Sequence, residues 1–184
     1  MMPLEWLGQR GITWTDNAMG VINTDKRASL FRKLIADLPI HTILEIGCNM
    51  GYNLVALSKV NNYDLTGIDY MKYAVDHAYQ SAGTIICDDF RTHPFPDESF
   101  DLVLALGFFD SYSDSELIVL AEKVCQISKQ YILVLDYPFM ETKNFTWHCR
   151  DYEHAFPGFE EVFTKGFLYE VDPMMRAWLV RKVV

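Results

Sequence analysis

The stretch Ile43-Leu-Glu-Ile-Gly-Cys-Asn-Met-Gly51 decides the fold of this chain. An apolar run that contains the acid Glu45 is followed by Gly47 and Gly51, and then by residues with helical spacing. Glycine adopts backbone conformations that other residues rarely reach and lets the main chain approach a ligand closely. A helix that starts after such a loop directs free N–H groups at the ligand. The stretch therefore predicts a strand, a loop and a helix that hold a nucleotide-like ligand.

Strand-like and helix-like segments alternate on both sides of this loop. Helical spacing predicts helices over residues 25–38, 51–60, 71–81 and 113–128, and short apolar runs predict strands over 41–46, 64–69, 84–87, 100–106 and 131–135. Strands that are apolar on both faces belong to parallel sheets covered by helices. We therefore predict a Rossmann-like α/β fold, with a mostly parallel sheet and helices on both faces.

The C-terminal part has a different pattern. Residues 159–169 and 177–184 resemble two strands joined by a turn at Asp172-Pro173, which predicts an antiparallel hairpin at the end of the sheet. We expect one domain over residues 1–184. Residues 1–24, with Trp6 and Trp14, form either a lid over the site or a cover for the edge of the sheet.

Composition narrows the classes of partner. The chain has 184 residues and a net charge of -9, and an acidic surface repels phosphate backbones, so nucleic acid is not expected as a partner. Its adjacent basic pairs, Lys26-Arg27, Arg32-Lys33 and Arg181-Lys182, are typical of solvated faces. No stretch approaches the roughly 20 apolar residues of a membrane span. The start also lacks the features of a secretion signal, so we expect a soluble, cytoplasmic protein.

The four cysteines are far apart and include no C-x-x-C pair, so neither a zinc site nor a thioredoxin-type site is expected. Cys87 and Cys125 lie in apolar stretches, which is typical of buried cysteine.

Acids follow the next two predicted strands. Ligands of open α/β sheets bind at the carboxyl ends of the strands, where Asp69 could accept hydrogen bonds from ribose hydroxyls. A carboxylate of Asp88-Asp89 could accept from an adenine amino group while the Phe90 backbone contacts a ring nitrogen. The fourth strand ends at Leu106, where a backbone turn could face the reacting group. Each has another interpretation, because Asp69 could cap a helix and Asp88-Asp89 could be a solvated turn.

The spacing of the glycines separates two kinds of cofactor. A dinucleotide-binding loop has the pattern Gly-x-Gly-x-x-Gly, which brings a pyrophosphate to the helix N-terminus. Here Asn49 occupies the central position, and Tyr52 follows Gly51 where a further glycine is missing. A bulkier loop suits a ligand without phosphates, which favours S-adenosylmethionine (SAM) over NAD.

These motifs resemble those of class I SAM-dependent methyltransferases, over about residues 25–136: Leu44-Glu-Ile-Gly-Cys-Asn-Met-Gly51, Gly67-Ile-Asp69, Asp89 with Pro94-Phe-Pro-Asp-Glu-Ser-Phe-Asp101, and Tyr131-Ile-Leu-Val-Leu135. The resemblance implies a seven-stranded sheet with the loop under the methionine part of SAM, Asp69 on the ribose, and Asp89 with the Phe90 backbone on the adenine. Asp88 is the alternative candidate for the contact with the adenine. The expected cofactor-binding residues are Glu45, Gly47, Cys48, Asn49, Gly51, Asp69, Tyr70, Asp89, Phe90 and Leu106. More narrowly, Glu45 to Leu54 and the tail are similar to methylases associated with pseudaminic acid and surface-sugar pathways.

Asn49 is where the chain departs from the broad family, which has glycine there. Asparagine can hydrogen-bond locally and tolerates the left-handed backbone better than most residues. We expect Asn49 to preserve the loop and to contact the cofactor or Asn53.

The acceptor of the methyl group is less clearly indicated. Weak substrate-binding candidates follow the fourth and fifth strands: Asp110, Tyr112, Tyr137 and His148. No catalytic base is assigned, because methyl transfer can depend on positioning alone. The chain is expected to methylate a small molecule, such as a sugar or other metabolite. A non-catalytic SAM-fold binding protein is the alternative, and an NAD-linked oxidoreductase is a third interpretation.

Overall fold

A computed structural model describes residues 23–136, 152, 155–165 and 175–183, and the backbone of 141–142 and 145–146. The expected N-terminal lid lies outside these residues except at its last two positions. The predicted turn at Asp172-Pro173 also lies outside them.

Four helices and nine strands are present in the described residues. The helices are α1 (Thr24–Ile35), α2 (Tyr52–Ser58), α3 (Lys72–Asp76) and α4 (Asp114–Ile127). The strands are β1 (Thr42–Ile46), β2 (Asp64–Asp69), β3 (Thr84–Cys87), β4 (Phe100–Leu106), β5 (Ser128–Asp136), β6 (Glu141–Thr142), β7 (Phe145–Thr146), β8 (Phe159–Lys165) and β9 (Arg176–Lys182). Short 3-10 turns cover Gln80–Ala82 and Phe109–Ser111.

Seven of the described strands form one sheet, in the order β3-β2-β1-β4-β5-β9-β8. The pairs β2–β3 and β4–β5 are parallel, whereas β9 runs antiparallel to both β5 and β8. The predicted α/β fold with an antiparallel C-terminal hairpin is confirmed. The remaining strands, β6 and β7, form a separate antiparallel ladder.

The described chain clusters into two compact units. The first contains residues 23–41 and 45–93, and therefore holds α1, the glycine loop, β2, α3 and β3. The second contains residues 42–44 and the described residues from 94 onward, including β4, β5, α4 and the terminal hairpin.

The core follows from the apolar runs in the sequence. In β4 the central residues are buried on both faces, as expected for a strand covered by helices on two sides. In α2, Leu54 and Leu57 are fully buried, but Val55 is only half-buried and does not share their inward face. Cys87 is exposed, contrary to the expectation of a buried thiol, because it ends β3, the strand at the edge of the sheet.

The helix predicted over residues 71–81 is shorter in the structure. It ends at Asp76, and the backbone N–H of Tyr79 donates to the Met50 carbonyl at 3.1 Å. Tertiary contact with the glycine loop therefore replaces the helical hydrogen bond that local spacing predicts. The 3-10 turn that follows ends before Gly83.

The first residues of α1 and α4 agree with the predicted helix starts to within one residue. Asn23 caps α1 by accepting hydrogen bonds from two backbone N–H groups, those of Asp25 and Lys26, each at 3.0 Å. Ser113 and Glu116 form a capping box at the start of α4.

Two glycines with positive φ, one in a crowded and one in an open position, allow a test of local constraint. Gly83 has φ +84°, and a Cβ added there would lie 2.4 Å from the Leu65 carbonyl oxygen, whereas Gly158 has φ +79° and open space around it. We expect Gly158→Ala to cost about 1–2 kcal/mol of unfolding free energy, from the left-handed backbone alone. Gly83→Ala should cost clearly more, because the Leu65 backbone must move and because the ψ of Gly83, −148°, lies outside the left-handed region. Urea denaturation of both variants measures this, and equal losses would contradict the packing argument.

Candidate cofactor-binding site

The loop after β1 has an unusual backbone. Three of its five residues have positive φ: Gly47 at 70°, Asn49 at 50° and Gly51 at 79°. A Cβ on Gly51 would lie 2.5 Å from the Cβ of Ala82, so this glycine also permits a close approach of α2 to the following 3-10 turn. The loop therefore needs residues that tolerate left-handed conformations and little volume.

Asn49 occupies the left-handed position where the broad family has glycine. Its Oδ1 accepts a hydrogen bond from the backbone N–H of Met50 at 2.8 Å. The left-handed backbone that the sequence led us to expect is present, and the contact of Asn49 with the cofactor or with Asn53 stays a prediction. Asparagine thus preserves the loop without a central glycine.

Asp69 anchors the loop from the end of β2. One carboxylate oxygen accepts from the Asn49 N–H and the other from the Met71 N–H, each at 2.8 Å. The Ile68 carbonyl also accepts from the N–H groups of Gly47 and Cys48, at 2.9 and 3.1 Å. Burial raises the pKa of Asp69, and the two backbone hydrogen bonds oppose this by lowering it. Each carboxylate oxygen keeps a second lone pair for a further donor.

Glu45 is a buried acid beneath the loop, with 1% of its surface exposed. Its Oε1 accepts from the Asn53 side-chain amide at 2.5 Å, while its Oε2 has no hydrogen-bond partner among the described residues. Burial raises the pKa of Glu45 to about 8, although the Asn53 hydrogen bond and the positive charge of Arg27 lower it in part. A buried carboxyl oxygen without a partner is costly, and it marks a position where a ligand donor would fit.

Arg27 completes this polar group from α1. Its guanidinium donates to the Asn53 side-chain oxygen. The expectation that the Lys26-Arg27 pair lies on a solvated face is therefore wrong for Arg27. Charge patterning alone did not distinguish it from Lys26, which is exposed.

The acids after β3 are paired with basic side chains. Both carboxylate oxygens of Asp89 accept from the Arg91 guanidinium, Oδ1 from Nε at 2.9 Å and Oδ2 from Nη2 at 2.5 Å. The exposed Asp88 lies 2.8 Å from Nδ1 of His93, and this hydrogen bond lowers the pKa of Asp88. Phe90, directly after Asp89, is buried. The structure thus gives Asp89 a role in holding Arg91, and the adenine contact remains a prediction for both acids.

Two further predicted cofactor residues are Cys48, which lies in the loop, and Tyr70, which follows β2. Cys48 is buried against Gly67, where an added Cβ would lie 2.6 Å from the Cys48 sulfur, and burial raises the pKa of its thiol. Tyr70, directly after Asp69, is 41% exposed, so its side chain is accessible from solvent.

The remaining predictions concern the second unit. Leu106 ends β4 and is half-buried, Asp110 is buried and accepts from the Ser111 hydroxyl at 3.0 Å, and the Tyr112 ring lies 5.1 Å from that of Phe108. These positions do not establish substrate contact. Tyr137 and His148 lie outside the described residues.

A buried polar pair at the end of β5 was not singled out from the sequence. The Tyr152 hydroxyl donates to Oδ2 of Asp136 at 2.6 Å, and both residues are 1% exposed. The Tyr152 ring packs edge-on against Trp178, at 5.1 Å between centroids. The sequence offers one indication of a polar site here, because Asp136 ends an apolar strand as Asp69 does. Nothing in the sequence connects Asp136 to Tyr152.

Neither a metal site nor a membrane span is evident in the part of the chain that the structure describes. It contains no cluster of three or more His, Cys, Asp or Glu residues suited to a metal ion. None of its helices has the length and apolar character needed to cross a bilayer.

Comparison with known proteins agrees with this architecture. Residues 43–130 match the family model described as a methyltransferase domain. A search among curated protein sequences finds no match.

Many solved structures share the fold. Magnesium protoporphyrin IX methyltransferase from Synechocystis, with bound S-adenosylhomocysteine (SAH), is 15% identical with a TM-score of 0.69, over 87% of this chain and 83% of that one. A TehB-like SAM-dependent methyltransferase from Corynebacterium glutamicum is 17% identical with a TM-score of 0.69, over 97% of each chain. The [4+2]-cyclase SpnF is 16% identical with a TM-score of 0.67, over 87% of this chain and 81% of that one.

The structural matches show the fold, and the family match assigns the domain. Residues 43–130, just under half of the chain, match the methyltransferase domain, and the fold around them is shared with SAM-dependent methyltransferases.

The left-handed backbone at Asn49 leads to a first prediction for the site. Asn49→Ala should lower the unfolding free energy by about 1–2 kcal/mol, because alanine has no preference for this conformation and cannot accept from Met50. Asn49→Gly should lose less, since glycine tolerates the positive φ. Urea denaturation measures both, and a larger loss for glycine would contradict the argument. If Asn49→Gly also keeps the wild-type SAM affinity, the side chain has no role beyond the backbone.

Burial of Glu45 predicts a dependence of stability on pH. Between pH 4.5 and about 8 the folded protein retains a proton that the unfolded chain releases, so unfolding free energy falls as pH rises through this window. Glu45→Gln keeps the shape and the hydrogen bond with Asn53 but has no such proton. We expect its Tm to exceed the wild-type Tm by an amount that grows from about pH 5 to about pH 8 and then levels off.

The matched control is Glu122→Gln, on the exposed face of α4. Its Tm should follow the wild-type profile against pH. A constant difference between Glu45→Gln and wild type at every pH would contradict the assignment of the retained proton to Glu45.

Proposed function

We propose that this protein transfers the methyl group of SAM to a small-molecule acceptor, such as a sugar or other metabolite. The observation that carries the proposal is the loop of residues 47–51, which is flanked by the buried acids Glu45 and Asp69. Its backbone is left-handed at three positions, and an orphaned carboxyl oxygen lies beneath it.

The residues present fit SAM as a cofactor. The free Oε2 of Glu45 is an acceptor of the kind that the ammonium group of the methionine part requires. The remaining lone pairs of Asp69 suit ribose hydroxyl donors, and the segment from Asp88 to Phe90 is proposed for the adenine. Cys48, Asn49 and Tyr70 are proposed to complete the contacts along the loop.

SAM supplies an electrophilic methyl group on a sulfonium sulfur. The protein's contribution to such a displacement is mainly to hold the two reactants in line. For the acceptor side, Asp110, Tyr112, Tyr137 and His148 remain proposed contacts, and Leu106 a proposed cofactor contact. No general base is assigned to any of them.

Two observations support a small acceptor. The net charge of -9 disfavours a nucleic acid substrate, and a relative of the same fold methylates magnesium protoporphyrin IX, as its name states. An association with pseudaminic acid or other surface-sugar pathways stays a hypothesis from the resemblance of residues 45–54.

A second candidate function is a SAM-fold protein that does not transfer methyl groups. The similarity to a [4+2]-cyclase supports this second candidate, because the cyclase has the same fold and is named for a different reaction. The two candidates differ in whether SAH accumulates when acceptors are added.

The test is calorimetry with SAM, SAH and NAD, followed by measurement of SAH formation with panels of small-molecule acceptors. We expect binding of SAM and SAH with dissociation constants in the micromolar range, and no binding of NAD. A folded protein that binds neither SAM nor SAH would refute the proposal. Binding without SAH formation on any acceptor would favour the second candidate.

Asp69→Asn should weaken SAH binding by about tenfold or more. An amide nitrogen would face one of the two backbone N–H groups, so a buried donor loses its partner and the loop loses an anchor. The matched control, Asp64→Asn, lies exposed at the other end of β2 and should bind SAH as the wild type does. Equal affinities for the two variants would contradict the role of Asp69.

A further inference from the structure

Three polar side chains from three elements form a continuous chain: Arg27 of α1, Asn53 of α2 and Glu45 of β1. We propose that Arg27 is a positioning residue, which acts through Asn53 to direct Glu45 toward the cofactor and to favour its ionised state. This inference rests on the proposed function, and it assigns to α1 a part in cofactor binding that the sequence pattern did not indicate.

The first step concerns the amide of Asn53. A guanidinium has only donors, so the Asn53 oxygen must face Arg27 and the Asn53 nitrogen must face Glu45. Without Arg27 the amide could turn over and present its oxygen to Glu45. Two acceptors would then meet unless Glu45 carried a proton, so the orientation of the amide and the charge of Glu45 are coupled.

The second step concerns the charges that surround Glu45. Burial is the largest influence and favours the protonated carboxyl, and the carboxylate of Asp69 acts in the same direction. Arg27 acts in the opposite direction, through its positive charge. The buried Cys48 thiol in the loop is neutral, because burial raises its pKa. Loss of the guanidinium therefore removes a favourable contribution to the ionised state of Glu45.

The third step concerns how Arg27 is held. Helix α1 is fixed to the end of α2 by Lys59, whose Nζ donates to Thr24 and Asp25 at 2.7 Å each. On the same helix, Arg32 donates to the Lys59 carbonyl at 2.8 Å. These exposed contacts keep α1 against α2 and leave Arg27 aligned with Asn53.

The consequence is a dependence of cofactor affinity on pH. An ionised Glu45 attracts the ammonium group of SAM or SAH more strongly than a protonated one. Affinity should therefore rise as pH passes through the ionisation of Glu45. Removal of Arg27 should move this rise to higher pH, because Glu45 then keeps its proton longer.

The experiment measures the dissociation constant of SAH between about pH 6 and pH 9 for the wild type, Arg27→Gln, Arg27→Lys and, as the control, Lys26→Gln at the neighbouring exposed position. We expect Arg27→Gln to shift the pH profile upward by about one unit, and to lower affinity near pH 7 by up to about tenfold. Arg27→Lys, which keeps the charge, should recover part of the shift. Lys26→Gln should keep the wild-type profile, and titration of the ligand's own ammonium group is common to all four proteins.

Thermal unfolding of the same proteins separates the positioning role from a structural one. A lower Tm for Arg27→Gln, with an affinity that falls equally at every pH, would overturn the inference, as would an unchanged profile. If Arg27→Gln does not fold, Arg27→Met, which keeps the apolar stem, is measured by the same criterion. Absence of SAH binding by the wild type at any pH would instead refute the proposed function.

Discussion

The structure of the first unit depends on the carboxylate of Asp69. A loop that turns left-handed three times cannot satisfy its own N–H groups through a regular ladder, and buried unsatisfied N–H groups are costly. Asp69 accepts from Asn49 and Met71, so one side chain joins the loop after β1 to the segment after β2. The position of the loop, and hence of any ligand above it, follows from this pair of hydrogen bonds.

A second constraint is the burial of Glu45. A carboxyl with 1% exposure carries a large desolvation cost, and the protein offsets only part of it with Asn53 and Arg27. Sites that tolerate such a cost are frequently functional, because the unpaired group is used by a ligand. The same feature that weakens the folded state toward high pH is thus the feature that suits a cationic cofactor.

Strand positions followed closely from the sequence, and β2, β3 and β4 match their predicted bounds. Their apolar runs are short and are bounded by glycine or acid, so the local sequence decides where these strands begin and end. Helix α3 is shorter than predicted, since the N–H of Tyr79 donates to the loop. The accessibility of Cys87 also differed from expectation, because strand order puts β3 at the edge. Contacts between distant segments caused both differences.

In the site, too, some features follow from the local sequence and others from contacts between distant segments. The residue types of the loop and the acids at two strand ends are determined by the sequence, because backbone conformation and strand termination depend on neighbours in the chain. The partners of those acids were decided by the tertiary structure: Arg27 comes from a helix 18 residues before Glu45, and Tyr152 lies 16 residues beyond Asp136. Side-chain pairing of this kind depends on where packing brings the segments, and no periodicity along the chain encodes it. The sequence by itself therefore determined the class of fold and the residue types of the site, and the tertiary structure alone decided which charges act on the site.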